Sequence, residues 1–381
     1  MKSRIPRAYK KEKQDIYNKR FGIIFNGEDN LKPLMTENCI DLSPTAAQCA
    51  DTYQSFLVGG GFEIAMATEN LSEVRWQKRT PNDLLEEIGE SIARHQGAFV
   101  WVGYNANYQK DAFKVLPYEL CRVGKKDDEQ YSGKIVVSPN GWGKYLKADE
   151  VDVYDSYNPN ADIIEQQVDR DSGWENYKGQ VYFFKMNYKY TYPTPLIDRA
   201  LSFAEVEYHM GLYYKGTVQR SFEDITYIRH REFPSEEDER EFIKNIEELS
   251  GVDNASSKLI IKDDWDDEKE SAGNFKFDTI KNDVNADKYA HFESSSSNFI
   301  RKAFRNIPPQ LIDYVAGKLG NTSGEDLIKA QSVYNALTAK DRAKVERLFA
   351  ELFHNYKSDL NPDNNWTIKQ YALLEDGTIN Q

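Results

Sequence analysis

The stretch His291–Asp313 constrains this chain more than any other. From Tyr289 onward, apolar residues at Phe292, Phe299, Ala303 and Ile307 recur at helical spacing, and the same stretch is basic at Arg301, Lys302 and Arg305. Pro308-Pro309 follows. A proline pair has no N–H donors and pushes the preceding residue out of the α region, so the sequence predicts a helix with an abrupt stop there and a loop at Gly317–Gly324. The four serines Ser294–Ser297 add little volume and have only fair helix propensity. Their face is expected to meet something polar or another backbone. A lone helix has no use for this, whereas a helix packed beside copies of itself does.

Length and composition set the surroundings of that helix. The chain has 381 residues, enough for two or three domains. It carries 62 acidic and 49 basic side chains, a net charge of −13, and its mean hydropathy is −0.72. Yet aromatic residues reach 13%, with 24 tyrosines, which excludes a disordered composition and suggests half-wet packing surfaces. No apolar run approaches the roughly 18 residues that would suggest a membrane-spanning helix, and the N-terminal stretch lacks the apolar segment of a secretory signal. Cys39, Cys49 and Cys121 have no CxxC spacing and are expected to be reduced, buried thiols in a protein assembled in a cytoplasm.

Charge is unevenly placed. Residues 2–20 carry eight Lys or Arg against Glu12 and Asp15, about +6, on a remainder near −19. Such a basic arm suits nucleic acid or an acidic neighbour; the alternative is a frayed, solvated terminus.

Read in order, residues 1–35 are polar and expected to be loosely held. Residues 36–57 read as a helix in which Ser43 caps a turn begun by Pro44, with Ala46, Cys49 and Tyr53 on one face. Gly59-Gly60-Gly61 lacks the Lys-Ser/Thr of a phosphate loop and reads as a helix end leading into a strand over Phe62–Ala67. Leu84, Leu85, Ile88 and Ile92 mark an amphipathic helix over 82–95, ended by Gly97. Strands are predicted at 98–104, 113–121, 134–138, 150–155 and 180–186, giving an α+β domain rich in antiparallel pairs. A long helix is predicted from Pro195, capped by Thr194, to Gly216, with Leu196, Ala200, Phe203, Met210 and Tyr214 on one face. A strand follows within SFEDITYIRH. Ser235 and Asp238 form a capping box for a helix to Gly251, with Phe242, Ile243, Ile246 and Leu249 inward. KLIIK and FKFDTI read as short strands. Two closing helices are predicted, Glu325–Leu337 and Ala339–Tyr356. The second starts from a Thr338/Asp341 capping box and turns Val345, Leu348, Phe349 and Leu352 inward. The tail 357–381 is polar, with strand character in WTIKQYALL.

Catalytic motifs are missing from this reading. GxSxG, HExxH, kinase and zinc patterns are absent, and His95, His209, His230, His291 and His354 offer no pair at i, i+4. Six acids within Asp263–Glu270 resemble what a metal-dependent nuclease needs, but consecutive carboxylates without a partner motif read by default as a solvated rim. The residues alone describe an acidic chain without catalytic, metal or cofactor residues.

The serial order of elements nevertheless resembles the portal proteins of tailed bacteriophages, in the family of compact portals, over about residues 36–356. The resemblance is carried by helices like Thr36–Leu57 and Leu84–His95, the strand and turn AFVWVGYNANY, and an LP…R strand at Leu116-Pro117 and Arg122. It continues through a helix led by Pro195-Leu196 to YYKG at Tyr213–Gly216, a helix like Glu236–Gly251, KLIIK and FKFDTI. The most telling piece is a helix of the form E…I..F..IPP.L, matched by Glu293, Ile300, Phe304, Ile307, Pro308, Pro309 and Leu311. The chain departs from the family in Asn306-Ile307, where Gly-Val is common, and in a short tail where a longer crown is common.

The resemblance implies a non-enzymatic subunit of a ring, usually of twelve copies, at one vertex of the capsid. It would be a virion component assembled in the host cytoplasm, with no membrane. Double-stranded DNA would pass through the channel in packaging and ejection. Terminase and then the head–tail connector or adaptor would dock on the ring, beside the major capsid protein and scaffold. In that scheme residues 1–35 are a basic arm and 36–235 an α+β wing. Residues 236–307 are stem helices flanking a clip at about 254–285, 308–324 is the tunnel-loop region, 325–356 are wing-to-crown helices and 357–381 is the tail. Arg301, Lys302, Arg305, Lys318 and Asn321 become candidates to face DNA, with Pro308 and Pro309 as the helix stop before the loop; ordinary surface ion pairs remain the alternative for the basic ones. A negative bore suits a conduit that must not grip a polyanion, because phosphate contacts dominate affinity. Two rivals stay open: a metal-dependent nucleic-acid enzyme using Asp263–Glu268, and another virion structural or adaptor protein without a channel.

Overall fold

The computed structural model describes residues 17–18, 22–64, 71, 79–126, 132–142, 150–219, 225–230, 233, 235–250, 258–262, 275–280, 286–312, 324–358, 361, 363–372, 374–375 and 378–379. A hairpin of β1 (Tyr17–Asn18) and β2 (Ile23–Ile24) precedes α1 (Lys32–Leu42), α2 (Pro44–Val58) and α3 (Pro81–His95). Then come β3 (Gly97–Tyr104), β4 (Lys110–Leu116), β5 (Cys121–Val123), β6 (Lys134–Val137), β7 (Asp152–Ser156), α4 (Ala161–Arg170) and β8 (Gln180–Lys185). The chain continues through α5 (Leu201–Gln219), β9 (Ile225–His230), α6 (Glu236–Ser250), β10 (Lys258–Lys262), β11 (Phe275–Ile280), α7 (Ala286–Ala303) and α8 (Gly324–Phe353). A last short hairpin pairs β12 (Leu374–Glu375) with β13 (Thr378–Ile379).

The chain forms two compact units, residues 1–204 with 297–381, and residues 205–296. In the first, six strands lie in the order β4-β3-β8-β7-β6-β5. Every pair is antiparallel except β7 with β8. The central strand β3 reads as a continuous apolar run because both its faces are covered: seven of its eight residues are buried. On one side the apolar stripe of α3 supplies Leu84, Leu85, Ile88 and Ile92, all fully buried, as the periodicity predicts. Thr80 and Asp83 close a reciprocal capping box at its start, and Gln96, at φ +58, ends it one residue before the predicted Gly97. The face Ala46, Cys49 and Tyr53 of α2, and Val345, Leu348, Phe349 and Leu352 of α8, join the same core.

Several expectations are corrected here. The predicted helix 36–57 is two helices hinged at Ser43, which ends α1 and caps α2 through its hydroxyl on Ala46 N. Residues 22–35 are held in place: Ile23 is fully buried, and Asn30 takes the guanidinium of Arg122. Strand 113–121 is broken by Pro117 into β4, a 3-10 turn at Tyr118–Leu120, and β5. Pro195 does not open the long helix. It precedes a 3-10 turn at Leu196–Arg199, and α5 starts at Leu201 and passes Gly216. The two closing helices are one, because Thr338 bonds back to the carbonyls of Tyr334 and Asn335 instead of capping. Helix α4, capped by Asn160, went unpredicted. Of the three cysteines, Cys49 and Cys121 are buried and Cys39 is half-buried, and all three are thiols.

The glycine run has a steric reason. Gly59, at φ +59, ends α2, and a Cβ there would lie 1.9 Å from the carbonyl oxygen of Lys369. The tail backbone passes over this point, pairing Ile368 with Phe62 and bonding Lys369 to Gly60 and Gly61. Ala65 to Ala67 of the predicted strand lie outside the described residues.

The second unit holds a three-stranded sheet in the order β10-β9-β11, with β10 parallel and β11 antiparallel to the central β9. That central strand comes from the segment the sequence assigned to the wing. Ser235 caps α6 as predicted, its hydroxyl accepting from Asp238 N. Among the described side chains of this unit, Ser296 is the one that is buried. Phe242 and Ile243 are half-buried and Tyr214 is exposed, so the predicted inward faces of α5 and α6 are only partly covered. Ile246 and Leu249 have no described side chains, and the acidic run Asp263–Glu270 lies outside the described residues.

Candidate functional site

The basic end of α7 is where the sequence places its candidates. The buried face of this helix is Ser296, Ile300 and Ala303, spaced by four and three residues, and Phe304 and Ile307 just beyond its end are buried as well. Phe292 and Phe299, two of the apolar residues at helical spacing, are 52% and 46% exposed. Phe299 stacks on Phe203 at 4.3 Å. The helix ends at Ala303, five residues before the proline pair. Arg305 and Asn306 make the turn at φ +61 and +56, two successive left-handed residues that no helix continues through. Pro308 and Pro309 follow the turn, with Pro309 opening a 3-10 turn to Leu311. The proline pair is therefore not what stops the helix.

A polar hub of α8 fixes that turn. Arg305 reaches Asp341 at 3.0 Å, and Asp341, 4% exposed, also accepts the hydroxyl of Tyr53 on α2 at 2.8 Å. Burial, and then Asp341, push the Tyr53 hydroxyl up, so it stays protonated and donates. Tyr334 donates to the carbonyl of Phe304 at 2.9 Å, its hydroxyl likewise pushed up by burial. Next to Asp341 in the chain, the buried Arg342 donates to Phe56 O, Asn335 and Thr338, while burial pulls its pKa down. The end of α7, the middle of α8 and α2 are thus tied by hydrogen bonds, of which those to the Asp341 carboxylate and from the Arg342 guanidinium are charge-assisted, the stronger class.

This hub sorts the candidates. Arg305 is committed to Asp341. Arg301 is half-buried and folds back on Ile307 O and Asn298 Oδ1. Lys302 is exposed, lying over the Phe299 ring at 5.1 Å. Lys318 and Asn321 lie outside the described residues. Of the three described, Arg305 is exposed but paired with Asp341, and Lys302 presents its charge to solvent.

A second polar cluster was invisible in the sequence because its members are far apart. Glu37 of α1 accepts from Arg94 at 2.6 Å and shares a 2.7 Å hydrogen bond with His95, both at the end of α3. Arg94 also reaches Asp41 at 2.7 Å. Burial alone would raise the Glu37 pKa, but His95 and Arg94 outweigh it and hold the carboxyl below its usual range. Ligand atoms of Glu37, His95 and Glu119 lie within 4.8 Å of one another. Both oxygens of Glu37 are already engaged, so the arrangement serves as an ion-pair clasp between α1 and α3. Arg122 forms a third cluster: fully buried, it donates to Asn30, Glu119 O and Cys121 O and lies over the Trp142 ring. It is the arginine of the LP…R strand, and it fastens the chain before α1 to the sheet.

No protein-family model matches the chain, and no curated protein matches it. Solved structures do. A chain of the virion of the native gene transfer agent (GTA) particle matches with a TM-score of 0.50 at 11% identity, over 88% of this chain and 83% of that one. A chain of the neck of the native GTA particle, computed with C12 symmetry, matches at 0.49 with 12% identity over 87% and 82%. An HK97 family phage portal protein from Corynebacterium diphtheriae matches at 0.40 with 9% identity over 77% and 84%. The α+β fold described above is thus shared, over most of its length, with a chain of a virion particle.

Proposed function

We propose that this chain is a portal subunit, one of a ring of copies at a capsid vertex through which double-stranded DNA passes. The observation that carries the reading is the fold shared with a virion chain over 88% of this sequence. The order of motifs from Thr36 to Tyr356 supports it. So does the second unit, whose α5 and α7 leave Val206, Tyr208, Leu212, Tyr213, Tyr214 and Phe292 exposed. A head-to-tail ring covers such faces, because each copy presents two different surfaces to its neighbours.

On this reading residues 236–307 carry the stem, the β9–β11 sheet the clip, and 308–324 the loop nearest DNA. The hub at Asp341 holds the start of that loop in a fixed direction. Lys302 supplies a weak, transient phosphate contact in a subunit whose overall net charge of −13 disfavours a tight grip on the polyanion. Terminase, head–tail connector, capsid protein and scaffold are the docking partners, and twelve is the expected copy number.

Electron microscopy of the purified chain, with a magnesium-dependent DNA-cleavage assay on the same sample, tests the proposal. Rings with a hole wide enough for duplex DNA and no cleavage are expected. A monomer that cuts DNA when given magnesium would overturn it in favour of a nuclease, and closed shells or filaments would favour a structural protein without a channel.

A further inference from the structure

The portal reading leaves the basic arm unused. The first unit contains a groove of about 540 Å3 between α1, the end of α3 and the β4–β5 turn. Its apolar lining is Leu34, Val115, Leu116, Pro117 and Tyr118, and its polar lining holds five carboxylates, Glu37, Asp41, Glu87, Glu90 and Glu119, against Arg94 and His95. Arg94 is shared among Glu37, Asp41 and Glu90, and Arg79 pairs with Glu87, so the rim keeps an excess of negative charge. Glu90 and Asp41 are 61% and 57% exposed. The groove therefore fits an extended, basic segment with small apolar residues in it.

We propose that this groove holds the chain's own basic arm, with Lys2–Lys13 along it. That segment carries Lys2, Arg4, Arg7, Lys10, Lys11 and Lys13 against Glu12 alone, interleaved with Ile5, Pro6 and Tyr9. Charge and apolar content both complement the groove. The root of the arm is in the right place. Tyr17 pairs with Ile24, and Ile24 packs in one cluster with Leu116 and Tyr118, two residues of the groove lining. From Tyr17 the segment back to Lys2 spans up to about 50 Å when extended. A tether of that length holds the arm near the groove at an effective concentration of order millimolar. The inference does not depend on the ring.

Zero-length carbodiimide cross-linking of the full chain tests it, using isotopically labelled and unlabelled copies expressed separately and mixed before assembly, read by mass spectrometry. Links from Lys10, Lys11 or Lys13 to Glu87, Glu90 or Glu119 within one isotopic form are expected. Their yield falls roughly five-fold or more at about 1 M salt, where screening acts over about 3 Å. It falls similarly in a Glu90→Lys, Asp41→Asn variant whose circular dichroism matches the parent. Links that join the two isotopic forms at the statistical share of the mixture would assign the groove to a neighbour's arm and overturn the proposal. So would links to other surfaces, no links at all, or yields indifferent to salt. Intrachain links from a chain that forms no ring would leave this inference standing while the portal reading fell.

Discussion

Tyrosine has two fates in this molecule. In the first unit Tyr53, Tyr104, Tyr192 and Tyr334 are buried, and their hydroxyls go to Asp341, Gln180, Ile24 O and Phe304 O. In the second, Tyr208, Tyr213 and Tyr214 are 37 to 42% exposed along α5, with Leu212 among them at 47%. One region uses the ring for volume and the hydroxyl to satisfy a buried polar partner. The other spreads the same side chains over a surface that a single copy does not close. The contrast teaches that the first unit gives these tyrosines partners within one copy, whereas along the described part of α5 the rings stand exposed, a face suited to being covered by a neighbour.

The largest expected effect breaks that contrast on the exposed side. Leu212→Ser combined with Phe292→Ser is expected to abolish oligomers in sedimentation velocity, while the unfolding free energy of the monomer in urea moves by no more than about 0.5 kcal/mol, the usual range for surface sites. On the buried side, Asp341→Ala strips partners from both Arg305 and Tyr53. It is expected to cost about 3 kcal/mol in urea denaturation, at the low end for a broken buried pair because Arg305 is 40% exposed and can rehydrate.

Next comes a pH effect. Lys110 is 1% exposed and donates to Glu351 O at 2.6 Å, and burial pulls its pKa down to about 8. From pH 8 up to the unfolded value of about 10.5 the unfolded chain holds more protons, so native stability rises with pH across that window. Below pH 8 the full cost of burying the charge persists, on the order of 3 kcal/mol at about 1.4 kcal/mol per pH unit. Lys110→Met, which also loses a hydrogen bond worth about 1 kcal/mol, is therefore expected to be more stable than the parent by about 2 kcal/mol at pH 7. The advantage shrinks as pH approaches 10.5, as thermal melts across pH will record.

The smallest effects sharpen the account of the turn. Asn306→Val places a branched side chain at φ +56 and is expected to cost about 1–2 kcal/mol. Pro308→Ala with Pro309→Ala is expected to leave the helix end at Ala303, at about 1 kcal/mol or less per site through the unfolded chain. Amide exchange that extends protection past Ile307 in that variant would contradict the assignment of the turn to Arg305 and Asn306.

Much of the fold was legible because it follows local rules. The stripe of α3, the caps at Ser43 and Ser235, and the buried face Val345, Leu348, Phe349 and Leu352 all follow from spacing within one or two turns. What was lost depended on distant partners. Thr338 and Asp341 have the spacing of a capping box, yet Asp341 answers to Tyr53 across 288 positions and Thr338 stays inside a continuous helix. Nothing local distinguishes the two uses. Proline at 308 and 309 was given a stop that the left-handed pair before it makes, because left-handed arginine has no sequence signature. The Glu37–His95 clasp joins residues 58 apart. The candidate site was legible as a basic helix end. The sequence did not reveal that Arg305 is already spoken for, nor that Lys302 stands in solvent.

Hydroxyl-radical footprinting of the native chain, above and below its assembly concentration, tests the central claim most directly. The account predicts that oxidation of Tyr208, Tyr213, Tyr214 and Phe292 falls several-fold on assembly while that of buried Tyr53 and Tyr334 stays low throughout. Equal oxidation of the α5 and α7 side chains in both states, or a chain that never assembles, would contradict it.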